Sequence, residues 1–148
     1  MSMFETIKAH LAGAVPYAGL TGIELKEIGP GRAVAQLKQR PELGNHLGTL
    51  HAGALYTLGE AASGGAMTGA FAERILSLRP VAAEARISYA KAARGTVTAT
   101  AIASEAPEQL KARLNADGKV RFGVNVDIAD EQGQPVAAMV VAWHVREA

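Results

Sequence analysis

The chain contains no cysteine, so disulfide bridges and thiolate-held zinc are both excluded, which fits a cytoplasmic setting. Aromatic residues make up only 5% of it, with a single tryptophan, so no aromatic-lined pocket is evident. Fifteen basic and fourteen acidic side chains leave a net charge of +1, which gives no support for a general nucleic-acid or membrane-surface partner. Long hydrophobic runs are missing as well. The least polar stretch, residues 61–71, is far short of the roughly 20 apolar residues needed to span a bilayer. The opening Met-Ser-Met-Phe-Glu-Thr has neither the basic nor the apolar region of a signal peptide.

What is present is a globular balance of 49% hydrophobic and 20% charged residues in 148, enough for one domain, residues 1–148, with one ordinary core. Phe4, Ile7, Leu11 and Val15 recur at helical spacing and predict a short amphipathic helix over 4–14, broken by Pro16. Residues 23–28 and 33–38 read as a hairpin turned by Gly29-Pro30-Gly31. A polar loop over 39–50 leads into a long apolar helix, residues 52–71. Beyond Pro80, residues 81–90, 96–104, 120–129 and 136–145 are rich in Val, Ile, Thr and aromatics and read as strands. Residues 130–134 turn the last two into a hairpin, and 107–115 reads as a short helix or an irregular excursion. This order predicts an α+β domain with helices on one side of an antiparallel sheet.

The long helix carries Gly53, Gly59, Gly64, Gly65 and Gly69. Each interior glycine costs roughly 1 kcal/mol relative to alanine, so tertiary packing must compensate. A sheet curled tightly around this helix would do so, because small residues let another backbone come close.

The helix has one charge, Glu60, and a carboxylate on an apolar helix is costly unless paired, solvated or used. Upstream stand Asn45 and, six residues on, His51; Glu60 follows nine residues after the histidine. Taken singly, each has a plain structural reading. Glu60 could pair with an arginine or face solvent, His51 could bond the helix start, and Asn45 suits any turn. His46 stands beside Asn45 but off the spacing, and His10 and His144 lie outside it. No second cluster of histidines and carboxylates points to a metal.

Together, Asn45, Gly48-Thr49-Leu50-His51-Ala52-Gly53 and Glu60, with Ile87-Ser88-Tyr89 and Gly95 downstream, resemble the hotdog-fold acyl-CoA thioesterases of the phenylacetate-pathway (PaaI-like) type. The excursion at 107–115 is similar to a less studied hotdog branch. The resemblance implies an α+β hotdog fold, an antiparallel curled sheet wrapped around a long central helix, assembled as a homodimer or a dimer of dimers. It implies hydrolysis of an acyl-CoA, with CoA as part of the substrate and no separate cofactor.

Thioester hydrolysis needs a polarised carbonyl and an activated water or carboxylate nucleophile. Backbone N–H groups of Ala52 and Gly53 at the helix start suit a developing oxyanion. The resemblance implies that Glu60 crosses to the partner's helix start as general base or nucleophile, with Asn45 holding the water or carboxylate and His51 orienting loop or thioester. It places Lys91 and Arg94 near the CoA phosphates, ahead of Arg79 and Arg86. Ala52 stands where the family has its first glycine, and neither Ser77 nor Ser88 aligns with the hydroxyl some relatives carry after the helix. The second reading is a non-enzymatic hotdog module that binds acyl-CoA or fatty acyl groups.

Overall fold

The computed structural model describes residues 2–148. The chain opens with helix α1 (Met3–Leu11), whose first turn is closed by the Ser2 hydroxyl accepting the Glu5 N–H at 3.1 Å. It stops three residues short of the predicted end, and a second short helix, α2 (Pro16–Thr21), follows. The first helix ends in a turn over residues 12–14, before Pro16 is reached, and Pro16 starts the second, since proline suits a first helical position. Gly22, at φ +83°, ends α2, and the Arg40 guanidinium donates to the helix-end carbonyls of Thr21 and Leu20 at 2.8 and 2.9 Å.

Strands β1 (Glu24–Gly29) and β2 (Arg32–Lys38) form the expected hairpin. A 3-10 turn (Pro41–Leu43) and the polar loop then lead into α3 (Ala52–Ala70), followed by a second 3-10 segment (Ala72–Ser77). The later elements are β3 (Leu78–Tyr89), β4 (Thr96–Ala103), α4 (Pro107–Asp117), β5 (Lys119–Ala129) and β6 (Pro135–Glu147). Strand β3 begins ahead of Pro80 rather than after it. An edge strand tolerates proline because one side of it needs no ladder donor.

The six strands form one sheet in the order β1-β2-β4-β5-β6-β3, with every neighbouring pair antiparallel. Alternation decides its inner face. On β5, Val120, Phe122, Val124, Val126 and Ile128 are buried, while Arg121, Asn125 and Asp127 face out. Leu55, Leu58, Ala62 and Ala66 of α3 pack on that face and make the core continuous. The predicted excursion is the helix α4, whose buried Leu110 and Leu114 join the same core.

The α3 glycines show how closely the sheet wraps the helix. A Cβ on Gly65 would stand 2.8 Å from the Ala33 Cβ, and one on Gly59 would meet the Met139 sulfur at 2.6 Å. At Gly69 it would run into the backbone carbonyl of Gly29, so only glycine allows that approach. No helix is long and apolar enough to cross a membrane among the described residues.

Candidate active site

The loop ahead of α3 is built around Asn45. Its side-chain carbonyl accepts the N–H groups of Leu47 and Thr49 at 2.9 and 3.0 Å. Its amide donates to the Thr49 hydroxyl at 2.8 Å and the Leu50 carbonyl at 3.4 Å. Two donors and two acceptor sites are therefore filled within the loop. The His51 N–H donates to the Leu43 carbonyl at 2.8 Å, and the Leu50 N–H to the Ala93 carbonyl at 2.9 Å. These bonds fix where α3 begins.

His51 is the N-cap of α3, and its Nδ1 accepts the Gly53 N–H at 2.7 Å. The Gly53 donor is thus engaged. The Ala52 N–H has no backbone or side-chain acceptor among the described residues. Tyr89, at the end of β3, donates its hydroxyl to the Ala52 carbonyl at 3.0 Å and ties the edge strand to the helix start. Burial, and then the neighbouring Tyr56 phenol, push the Tyr89 hydroxyl above the ordinary range.

Glu60 lies eight residues beyond Ala52, a separation of about 12 Å at 1.5 Å per residue. Within one chain, Asn45 and His51 come together at the helix start, and Glu60 stands apart from them. Its side chain is partly buried and makes no hydrogen bond or ion pair with any described residue. Loss of water contact, with no compensating cation, raises its pKa above the usual carboxylate value. The helix turn holding it is firm, because the buried Ser63 hydroxyl donates to the Glu60 carbonyl at 2.7 Å and accepts the Trp143 indole N–H at 2.9 Å.

Glu60 opens onto a groove of about 1180 Å³ between α1, α2, β1, α3 and the 3-10 segment after α3. His10 lines the same groove, although it stands outside the spacing of the motif. Neither its position there nor the Tyr89 hydroxyl bond has a signature in the sequence, since both come from contacts between distant segments.

The two residues expected near CoA phosphates differ. Lys91 bonds Gln134 and pairs with Asp130 at 3.4 Å, which joins its turn to the β5–β6 turn. Arg94 is exposed and has no ion-pair partner among the described residues. Arg79 and Arg86 lie exposed on β3. Ser77 donates to the Arg74 carbonyl at 2.8 Å, and Ser88 is exposed on β3.

A curled antiparallel sheet around a central helix, with a capped loop feeding that helix, defines the hotdog class of domain. The chain belongs to the family described as a domain of unknown function, DUF4442, whose model matches residues 5–145. Solved structures share the fold. A Pseudomonas aeruginosa protein of unknown function called a probable thioesterase is 23% identical, with a TM-score of 0.83, over 97% of this chain and 95% of its own. The E. coli PaaI protein of the phenylacetic acid degradation operon is 22% identical, with a TM-score of 0.74, over 99% and 97%. A hypothetical thioesterase from Streptococcus pneumoniae, solved with coenzyme A, is 20% identical, with a TM-score of 0.71, over 94% and 96%. No curated protein matches the sequence.

Proposed function

We propose that this protein hydrolyses an acyl-CoA thioester to the free acid and CoA. The observation that carries the reading is Glu60, an unpartnered and partly desolvated carboxylate on the central helix of a hotdog domain. The names given to the similar Pseudomonas and Streptococcus proteins, and the coenzyme A held by the latter, support it.

As general base, Glu60 takes a proton from water and the hydroxide attacks the thioester carbon. The tetrahedral oxyanion is met by the Ala52 N–H at a helix start, and the C–S bond breaks to release CoA, which recovers the proton. As nucleophile, the same carboxylate attacks the thioester carbon, and the C–S bond breaks to release CoA as its thiolate. Water then cleaves the resulting anhydride to the free acid, regenerating the carboxylate and yielding the proton the thiolate takes up. The Ala52 in question belongs to a second copy, because 12 Å or so separates it from Glu60 along one helix. Strand β3 supports such a pairing, since it is a 12-residue edge strand with one neighbour, β6. Asn45 acts by fixing the loop, His51 by capping the helix, and Arg94, ahead of the already paired Lys91, by meeting CoA phosphate.

One observation favours a binding module instead. The Gly53 N–H, expected as a second oxyanion donor, already bonds His51. Free-thiol release from a panel of acyl-CoA esters, measured beside Glu60→Ala, separates the two. Release that falls at least about a hundredfold in the variant is expected, the usual scale of a lost general base. Full activity in the variant, or none in the wild type on any ester, overturns hydrolysis; thermal stabilisation by acyl-CoA without thiol release favours the binder.

A further inference from the structure

We propose that the groove beside Glu60 receives the hydrocarbon tail of a medium- or long-chain aliphatic acyl group. The inference rests on the thioester reading, because Glu60 marks the reacting end of the groove.

Three observations point to an aliphatic tail. The first is α1. It is amphipathic, yet none of its residues is buried, and its apolar residues Ile7 and Leu11 line the groove instead of entering the core. The second is the lining. Val15, Leu25 and Ile75 continue the aliphatic wall, and the one aromatic residue on it, Trp143, is only 7% exposed with its indole N–H bonded to Ser63. A flat aromatic acyl group finds little ring surface to stack on. Of the polar residues that also line the groove, Thr6, His10, Glu24, Glu73 and Ser77 are exposed, Thr68 is buried, and the Arg74 guanidinium is held by Asn115 and Glu147. At about 1180 Å³ the space lies just above the common 300–1,000 Å³ range of ligand sites and far exceeds an acetyl group.

The third is Gly64, one helical turn beyond Glu60 and on the same side of α3. Gly59, Gly65 and Gly69 are required by protein atoms that a Cβ would strike. Gly64 is not. A Cβ there would meet only the Trp143 ring, at 3.5 Å, an ordinary contact. The helix therefore gives up propensity at a position where the fold has room for a side chain, and the space kept open belongs to the groove.

The test uses non-hydrolysable acyl-CoA thioethers from acetyl to palmitoyl, with phenylacetyl for comparison, titrated calorimetrically into wild type, Gly64→Ala and Gly64→Leu. Wild-type affinity should rise roughly fourfold per added methylene until the groove is filled. Gly64→Ala should melt about 2–4 °C higher, from recovered helix propensity, while losing roughly fourfold or more of its long-chain affinity. Gly64→Leu should lose on the order of a hundredfold and flatten the dependence on chain length. Gain of stability with loss of binding is a combination that a purely structural glycine does not produce. Affinity independent of chain length, phenylacetyl binding as tightly as palmitoyl, or a Gly64→Leu protein that binds normally would each overturn the proposal. So would a Gly64→Leu protein that sediments as a smaller species than wild type, since the space would then be filled by a second copy. Because these are binding measurements, graded affinity without thiol release leaves the groove standing and removes only the hydrolysis.

Discussion

Glu60 is held in a state that favours its protonated form, and the sign of the consequence follows from linkage. Its folded pKa lies above the unfolded value, so the folded chain binds this proton more tightly. The stability it contributes is full below the unfolded carboxylate range and is lost as pH rises through the folded pKa. We expect Glu60→Gln to stabilise the protein at neutral pH by about 0.5–2 kcal/mol, the usual gain from relieving a functional compromise. That gain should shrink as pH falls into the carboxylate range, read by melting temperature against pH. Hydrolysis should move oppositely, falling with decreasing pH along a limb set by Glu60 above the ordinary carboxylate value. His51 yields a second expectation. Removing the ring in His51→Ala leaves the Gly53 N–H uncapped and should cost about 1 kcal/mol, or about 2–4 °C in melting temperature. His51→Asn, which keeps a side-chain acceptor at the cap, should restore most of it.

At the scale of elements, α3 is made by its surroundings. Five glycines weaken it locally, and the core built from β2, β4, β5 and β6 offsets that. Since a Cβ at Gly69 meets the Gly29 carbonyl, Gly69→Ala should destabilise by about 3 kcal/mol or leave the chain unfolded, checked by denaturant titration. The contrast with Gly64 could not be read from the sequence, where both are glycines of one helix. The strands were legible because their segments are rich in Val, Ile, Thr and aromatics, and α3 because its apolar pattern runs through the glycines. The early end of α1 and the existence of α2 were not, because Val15 continues the helical spacing while the chain has already turned at residues 12–14. Asn45 and His51 were legible as a motif. That Asn45 has its side-chain sites filled, and that Lys91 is bound to Asp130, depend on partners the spacing does not name.

For the whole molecule, the open edge of β3 is the dominant feature. It is long and pairs with β6 alone, and its end, through Tyr89, touches the start of α3. Joining two such edges removes an aggregation-prone surface and brings two helix systems onto one continuous sheet. We expect the protein to sediment as a dimer or a dimer of dimers. A monomer would end the model in which Glu60 of one copy serves the helix start of another.

The sequence by itself determined the strands, the helices other than α2, the hotdog order and the residues that call for explanation. Those depend on near neighbours along the chain: a period of two or 3.6, a cap, a turn, a charge among apolar residues. Only the tertiary structure decided that Glu60 has no partner among the described residues, that the apolar stripe of α1 faces a groove, and that Gly64, alone among the glycines of α3, keeps space the helix packing does not need. Each is a statement about what closes over a residue from distant parts of the chain, and local pattern carries no record of that.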